Sequence, residues 1–441
     1  MNYISDYRLT DRFLLDSYQG KGGYLTGLYL VRHLRETDDK FARRLQAAVY
    51  PNFTRKIVDV FLGYLWRQAP NRQVDDLYAR FAGNADGAGA KLDSLLASYQ
   101  RLAMILGTVY IIVDKPQTQG ATRADQALPY LALRFKTQLA NETKDSQGRW
   151  LSITFAETDD AGQPQYRRFT RTGWMVSKDA DGAEVISQGD YTLGRVPVVP
   201  LHIAKPLNPY DGCADTWVYD LAILNWELYN LRSELRDLER SQTFAILALP
   251  VATPEERERL KDLTISTENG LTYDPTGGGQ PAFIAPPSEP TAHYMARIEA
   301  IIQDIYRVAN LEFVGGVQQS GVALSFHFQE ANSSLRTMAE QCEICEQAIA
   351  ELVSLWMGQT FSGSIAYAND FNLTDLAQAI AQAMDSITLG MGAAFDQAVK
   401  KRLARQILGN EVMPETLTAI DQEIEAQGDP QGDRMQRQAG L

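Results

Sequence analysis

Residues able to support catalysis or hold a metal are few in this sequence, and their spacing suits neither role. Cys342 and Cys345 form a C-x-x-C pattern. Both fall on the apolar face of a predicted helix, whereas a reactive thiolate needs the stabilisation of a helix N-terminus. A zinc site would need a second pair of ligands, and none stands at a suitable spacing. The two cysteines are therefore predicted to pack in the core.

The other candidate groups also lack the context that chemistry requires. The four histidines, His33, His202, His293 and His327, occur in no HExxH or related spacing. Gly277–Gly279 lacks the lysine and hydroxyl residue of a phosphate-binding loop, and no G-x-S-x-G is present. The sequence predicts a protein that is not an enzyme, with no catalytic residue, no metal and no cofactor.

Composition predicts an ordinary soluble chain. Its 441 residues are enough for several domains with a sizeable core. They are 45% hydrophobic and 22% charged, which is typical of soluble proteins. No run approaches the roughly 18 consecutive apolar residues of a membrane span. The opening residues, MNYISDYRLTDRF, lack the pattern of a secretory signal. Three cysteines, a small and odd number, indicate a reducing compartment without disulfides.

The chain is acidic, because 42 Lys and Arg against 55 Asp and Glu give a net charge of −13. Such a chain is poorly suited to bind nucleic acid by neutralising phosphates, which requires clustered basic residues. Acidity commonly serves solubility alone, but a repulsive surface would also let DNA slide past it. Charge therefore leaves contact with passing DNA open.

Three long helices and a flexible loop dominate the second half of the chain. Apolar spacing predicts helices at Ala214–Gln242 and Thr291–Phe313, and a longer one from Leu324 that ends at Gly358, a suitable C-cap. Between the last two lies Val314–Ala323, which is uncharged and contains three glycines. This loop is longer than an ordinary helix–helix connection, which makes it a candidate for function.

Outside the long helices the sequence predicts both helices and strands. The first part of the chain is mostly helical and includes Arg55–Gln68, with Thr54 as its N-cap, followed by a loop at 71–90. Thr108–Val113 is a predicted buried strand, and short runs between Leu128 and His202 predict an antiparallel meander. The predicted fold class is α+β, mainly helical.

The order of these elements, together with several local motifs, resembles the portal (head-to-tail connector) proteins of tailed bacteriophages, most of all the siphophage type. Similar stretches are YPNFTRKIVDVFLGYLWRQAP at Tyr50–Pro70, ASYQRLAMILGTVYIIVDKP at Ala97–Pro116, GRVPVVP at Gly194–Pro200 and QSGVAL at Gln319–Leu324. The likeness covers about residues 40–360. No single motif is specific, and their order along the chain carries the resemblance.

The resemblance implies a portal-like architecture with wing, stem, clip and crown regions, in which the long stem helices pack in a ring. The regions would follow one another as wing 1–210, first stem helix 211–242, clip 243–290, second stem helix 291–313, tunnel loop 314–323, long helix and return to the wing 324–373, and helical crown with a mobile tail 374–441. Within the clip, FAILALPVA and PAFIA are strand-like.

The resemblance also implies sites. The tunnel loop would line the DNA channel through Gly315, Gly316, Gln318, Gln319, Ser320 and Gly321. Channel-facing acidic candidates are Glu299, Asp304 and Glu312, although an ordinary solvated face carries such residues about equally often. Candidates for binding partners at the clip are Tyr273, Pro275 and Phe283.

Portals are ring homo-oligomers, usually dodecamers, at one capsid vertex. They seed head assembly with major capsid and scaffold proteins, dock the terminase large subunit through the clip, and later bind adaptor (head-completion) and tail proteins. The resemblance implies a virion protein, assembled in the host cytoplasm, through which double-stranded DNA is packaged and ejected without sequence specificity and without membrane contact. A helix too long to bury all its faces in one chain suits packing against further copies.

Two other interpretations stay open. The long helices could form a coiled-coil dimer of an interaction protein unrelated to phage, since Ala214–Gln242 is close to a heptad pattern. An enzyme built on the β-rich segment 128–202 would need a nucleophile or metal set that the sequence does not offer. A monomeric or dimeric mass would favour the first interpretation, and a stoichiometric metal or cofactor the second.

Overall fold

The computed structural model describes residues 7–116, 127–207, 212–243, 246–248, 282–284, 289–311, 321–369, 371, 397–401, 404 and 414–426. These residues form both helices and sheets, so the predicted α+β class is confirmed. The chain divides into two compact units, each built from two distant segments. They are Met1–Val58 with Thr216–Gln319, and Asp59–Asp215 with Ser320–Leu441.

The helices, in chain order, are α1 (Tyr7–Gln19), α2 (Gly23–Thr26), α3 (Asp38–Ala47), α4 (Phe53–Leu65), α5 (Asp76–Ala82), α6 (Leu92–Leu106), α7 (Val218–Thr243), α8 (Glu289–Val308), α9 (Gly321–Trp356) and α10 (Pro414–Ala426). The strands are β1 (Asn71–Gln73), β2 (Thr108–Asp114), β3 (Tyr130–Phe135), β4 (Leu139–Lys144), β5 (Trp150–Thr158), β6 (Pro164–Thr170), β7 (Gly173–Ser177), β8 (Val185–Asp190), β9 (Val198–His202), β10 (Ile246–Ala248), β11 (Ala282–Ile284) and β12 (Ser364–Ala366).

The core of the first unit is aromatic. Tyr24, Leu30 and Tyr229 are buried together, and the Tyr24 ring meets Tyr29 and Tyr229 edge-on at centroid distances of 4.9 and 5.2 Å. The Tyr24 hydroxyl is hydrogen-bonded to the Ser17 hydroxyl at 2.9 Å. Burial raises the pKa of Tyr24 far above its ordinary value, so the phenol stays neutral. A tyrosine-rich core of this kind joins α7 to the N-terminal helices.

The start of α4 corrects the predicted N-cap. The Asn52 side chain, and not Thr54, accepts the backbone N–H of Arg55 at 2.8 Å. Thr54 lies in the first turn, where its N–H and hydroxyl both donate to Asn225 Oδ1 of α7, each at 3.1 Å. Asn225 is fully buried and its amide nitrogen donates to Pro51 O at 2.7 Å. One side chain of α7 therefore fixes where α4 begins.

The core of the second unit lies between two antiparallel sheets. β2 is buried along its first six residues and pairs with β3 on one edge and β9 on the other. Tyr110 and Ile112 of β2 pack with Ile153, Phe155 and Phe169 from β5 and β6. Since successive side chains point to opposite faces, a continuous apolar run suits a strand that is covered on both faces.

The single meander predicted over Leu128–His202 is partly wrong. β4 to β8 do form a five-stranded meander, but the first and last predicted runs, β3 and β9, pair with β2 instead. The polar strand β4, LANETK, was not predicted because it lacks an apolar alternation. Three hairpin turns begin with an aspartate whose carboxylate accepts backbone N–H groups, namely Asp145, Asp159 and Asp179.

The loop predicted at 71–90 is also wrong in part, because this segment contains β1 and α5. Asp75 caps α5 by accepting the Tyr78 N–H at 2.8 Å, and both Tyr78 and Phe81 are fully buried. β1 pairs with β12, the strand that follows α9. The pairing partner is almost three hundred residues away, so local sequence patterns do not reveal this short strand.

The long helix α9 begins at Gly321 and not at Leu324, so the last three residues of the predicted loop are helical. Its end agrees with the prediction. Gly358 has φ of 68°, its N–H bonds to Leu355 O, and the next N–H reaches Ser354 O. This Schellman arrangement satisfies carbonyls that the end of the helix would otherwise leave unpaired.

Helix α8 ends at Val308, whereas the prediction extended it to Phe313. Asn310 adopts a left-handed conformation, with φ of 53°. Its N–H bonds to Arg307 O, and the N–H of the following residue bonds to Tyr306 O. An asparagine cap of the Schellman type therefore stops the helix, although the apolar spacing continues.

A buried ionic cluster fixes α9 within the second unit. Glu346 is fully buried, and its carboxylate accepts bonds from Arg72 at 2.6 and 3.0 Å, from Tyr78 at 3.1 Å and from Tyr367 at 2.6 Å. Arg72 also pairs with Asp93 at 2.6 Å. Burial, and next the Glu346 charge, raise the pKa of both tyrosines well above the ordinary value, so both hydroxyls remain donors.

Gly107, between α6 and β2, has no room for a side chain. Its φ is +84°, and an added Cβ would lie 2.0 Å from the Ala214 carbonyl oxygen. Gly107→Ala is expected to lower the free energy of unfolding of the second unit by roughly 2–3 kcal/mol, through backbone strain and overpacking. Urea unfolding measures this loss.

Gly148→Ala is the matched control for Gly107. Gly148 also has positive φ, +77°, but open space surrounds it. Gly148→Ala is expected to lower the free energy of unfolding by about 1 kcal/mol, from backbone strain alone. Equal losses for the two variants would contradict the close approach of Ala214.

Candidate functional site

Helices α7 and α8 form an antiparallel pair in the first unit. Three polar contacts follow one another along it: Gln242 with Thr291 at 3.3 Å, Glu234 with the Tyr294 hydroxyl at 3.0 Å, and Glu227 with Arg297 at 2.8 Å. From one contact to the next the residue number falls on α7 and rises on α8, so the two helices run antiparallel. These contacts were not predicted from the sequence, although Glu227 and Glu234 stand one heptad apart.

Apolar side chains fill the seam between the two helices unevenly. Near one end Leu228, Ile301 and Ile305 are fully buried. Toward Thr243 and Glu289 the apolar residues Leu231, Leu235, Leu238 and Ile298 are only half-buried, and Met295 is 59% exposed. This half of the pair leaves apolar surface that neither helix covers.

A two-stranded ribbon, β10 with β11, stands between the two helices in the sequence. The strands are antiparallel, with Leu247 opposite Phe283. They match the strand-like FAILALPVA and PAFIA runs of the predicted insert. Of the predicted clip candidates, Phe283 is in β11, while Tyr273 and Pro275 lie outside the described residues.

A buried ion pair contacts the middle of α7. Arg44 donates to Glu36 at 2.8 and 2.9 Å, and their side chains are only 3% and 1% exposed. The same guanidinium reaches Ser233 of α7 at 3.3 Å and Val31 O at 2.6 Å. Hydrogen bonds from Arg44 hold the pKa of Glu36 down at about 2, against the opposing effect of burial.

The predicted acidic candidates have different environments. Glu299 is exposed on α8 and has no ion-pair partner among the described residues. Asp304 is paired with Arg307 one turn later at 2.8 Å, which neutralises its charge locally. Glu312 lies outside the described residues. Of the three candidates, Glu299 is the one that the structure describes as an exposed carboxylate without an ion pair.

The predicted tunnel loop falls almost entirely outside the described residues. This applies to Gly315, Gly316, Gln318, Gln319 and Ser320. Gly321 is the first residue of α9. Their role remains a prediction from the resemblance.

Three of the titratable residues singled out by the sequence, Cys342, Cys345 and His202, serve packing. Cys342 donates to Gln100 Oε1 at 3.0 Å, and both Cys342 and Cys345 are buried, which confirms their predicted core role. Burial raises the pKa of both thiols. His202 lies 2.9 Å from the Thr108 hydroxyl, and burial, followed by nearby Lys144, lowers its pKa to about 4.

The part of the chain that the structure describes contains neither clustered metal ligands nor a membrane-spanning helix. No cluster of three or more His, Cys, Asp or Glu residues suited to a metal ion occurs within it. Likewise, none of its helices combines the length and apolar character needed to cross a bilayer.

Comparison with known proteins gives structural neighbours only. No protein-family model matches the chain, and no curated protein does. One neighbour is from the virion of a native gene transfer agent (GTA) particle, with TM-score 0.42 and 12% identity over 90% of this chain and 98% of that one.

Two further neighbours are neck structures. A native GTA neck computed with C12 symmetry gives TM-score 0.41 and 11% identity, covering 86% of this chain and 95% of the other. An empty-particle neck with C6 symmetry gives 0.42 and 13%, covering 82% and 91%. These scores and identities are too low to establish a shared fold or function.

Proposed function

We propose that this chain is the portal protein of a tailed-phage-like particle. It would form a ring at one capsid vertex, through which double-stranded DNA is packaged and later ejected. The observation that supports this most is the order of elements: α7 and α8 lie antiparallel, the β10–β11 ribbon lies between them in sequence, and the long helix α9 follows. The resemblance assigns the same order to stem, clip, stem and the helix behind the tunnel loop.

The exposed seam between α7 and α8 gives this proposal a physical basis. Half-buried leucines and an exposed Met295 lower the free energy of a ring when neighbouring copies cover them. The competing coiled-coil dimer would use the heptad leucines of α7, and Glu227 and Glu234, which flank those leucines, already bond to Arg297 and Tyr294 of α8 in the same chain. This observation favours the ring.

The proposed regions keep the bounds given by the resemblance. They are wing 1–210, stem 211–242 and 291–313, clip 243–290, tunnel loop 314–323, return to the wing 324–373 and crown 374–441. The clip, with Phe283 among its candidate contacts, would dock the terminase and then the adaptor protein. The chain would act as a conduit without catalysis or a cofactor, and its net charge of −13 suits DNA that must slide.

Deletion of Gln318–Gly321 tests the channel role. We expect rings to form normally, because the deleted residues follow α8 in sequence and belong to neither α7 nor α8, while particles containing the variant lose most of the DNA that resists nuclease. A variant with Gln318 and Gln319 replaced by serine, which keeps the loop length, is the control and should retain more DNA. Failure of ring formation, or normal DNA retention after the deletion, would refute the loop assignment.

A further inference from the structure

An apolar patch lies on the N-terminal segment of the first unit, in α2 and in the stretch that joins it to α3. Leu25, Leu28 and Leu34 are 68%, 66% and 101% exposed, and Val31 is 45% exposed. These four residues are called the N-terminal patch below. The stretch from Gly22 to Val31 includes no charged residue. Exposed apolar side chains so close together indicate a surface that another protein covers.

The first unit holds the N-terminal patch in a fixed position. The Val31 N–H donates to the Asn230 side chain of α7 at 2.8 Å, and Val31 O accepts from Arg44 at 2.6 Å. Glu36, two residues after Leu34, is buried in its ion pair with Arg44. Leu34 is therefore fully exposed on a stretch that is anchored on both sides. A preorganised surface of this kind loses little conformational entropy when a partner docks on it.

The open half of the α7–α8 seam presents apolar side chains on one face of the helix pair. Glu234 of α7 contacts Tyr294 of α8. Leu235 and Met295 each follow by one residue, which places them about 100° further round their own helices. Because the helices are antiparallel, these two rotations lead to the same face of the pair. On that face Leu235 is half-buried and Met295 is 59% exposed, so the seam is open there.

The N-terminal patch and the seam lie on opposite sides of α7. Trp226 of α7 donates to Tyr29 O at 2.8 Å, and Ser233 accepts from Arg44 at 3.3 Å, so both point toward the N-terminal segment. Both lie roughly 160–180° round α7 from Leu235. The patch therefore cannot cover the seam of its own chain, and both surfaces stay open to other copies.

The charges that border the two surfaces are complementary. Three exposed residues without an ion pair among the described residues flank the patch in sequence, namely Lys21, Arg35 and Asp39. Three others border the open face of the seam, namely Arg232, Glu239 and Glu299. The first set carries a net positive charge and the second a net negative charge. Opposite charges around two apolar surfaces favour their encounter and set their register.

We propose that the N-terminal patch of one copy covers the open half of the α7–α8 seam in the next copy. Two different surfaces on opposite sides of α7 make a head-to-tail contact, which closes into a ring when the rotation between copies allows it. The inference rests on the proposed ring function and names the two surfaces that meet in the ring.

Substitution by aspartate tests the contact in the full-length chain. Leu34→Asp and Met295→Asp each place a carboxylate in an apolar contact at every interface of the ring. Both side chains are exposed in the single chain, so folding should not change. Each variant is expected to lower the fraction of chain in rings by about tenfold or more in native mass measurements. Ile186→Asp, at a 52% exposed position of β8, changes net charge equally and should leave rings intact.

A cross-link tests which surfaces meet. In a chain carrying both Leu34→Cys and Met295→Cys, mild oxidation is expected to join successive copies into a ladder of dimers, trimers and larger species on denaturing gels. Each single variant, and Ile186→Cys combined with Met295→Cys, should give no ladder. Cys213 is half-buried and present in every variant, so the single variants also measure its background.

The outcomes separate the contact from the ring. Normal rings with Leu34→Asp and Met295→Asp, or no ladder from the double-cysteine variant, would overturn the contact while leaving the ring function standing. An equal loss of rings with Ile186→Asp would also overturn the contact, because the effect would then not depend on these two surfaces. A wild-type chain that forms no rings would overturn both.

Discussion

Glu346→Ala is expected to lower the free energy of unfolding of the second unit by about 3–5 kcal/mol, because it leaves a buried guanidinium without its main partner. The Arg72 side chain is only 16% exposed and Glu346 is not exposed at all. The variant also removes the acceptor for the buried hydroxyls of Tyr78 and Tyr367, and each unpaired donor adds to the loss. Chemical denaturation, followed by circular dichroism, measures the change.

A control from the same helix separates a buried pair from an exposed one. Glu351 of α9 pairs with Arg195 at 2.8 Å, but these side chains are 46% and 38% exposed. Glu351→Ala should therefore lower the free energy of unfolding by no more than about 1 kcal/mol. Similar losses for Glu346→Ala and Glu351→Ala would show that the cluster does not anchor α9.

Arg44→Ala should lower the free energy of unfolding of the first unit by about 3–5 kcal/mol, because it leaves the Glu36 carboxylate buried without an ion-pair partner. It also removes the bonds to Ser233 and Val31 O that fix α7 against the N-terminal segment. Arg35→Ala, at an exposed neighbouring position, is the control and should change stability little.

The same ion pair predicts a pH dependence. The pKa of Glu36 falls from its ordinary 4.5 to about 2 in the folded chain, mainly through hydrogen bonds from Arg44. A carboxyl group with a lowered pKa contributes its full stability above about pH 4.5 and loses it as pH falls toward 2. The contribution is roughly 3 kcal/mol.

Glu36→Gln isolates this contribution from that of other carboxylates. The difference in unfolding free energy between wild type and variant should be largest at pH 5–7 and should shrink steadily as the pH falls toward 2. A difference that stays constant over this range would contradict the assigned role of the ion pair.

Much of the fold could be predicted because long amphipathic helices and apolar strands have strong periodic signals. The two helices before and after the insert, the strand at Thr108–Val113 and the Gly358 cap are all present. The errors occur where distant contacts decide the outcome. β1 needs β12 as its partner, and β3 and β9 join the sheet of β2, which no local pattern specifies.

The candidate site was predictable in outline but not in its contacts. Apolar spacing located both helices of the pair, yet it extended α8 to Phe313, because the asparagine cap at Asn310 does not interrupt the apolar pattern. The ionic anchor between Arg44 and Glu36 was invisible in sequence, since charged residues eight positions apart are usually solvated.

The most direct test of the central claim is the native mass of the purified full-length chain, combined with negative-stain imaging. The proposed function predicts closed rings with a central hole, and a dozen copies of the 49.2 kDa chain would weigh about 590 kDa. A stable dimer without larger species would contradict the portal assignment and favour the coiled-coil interaction protein.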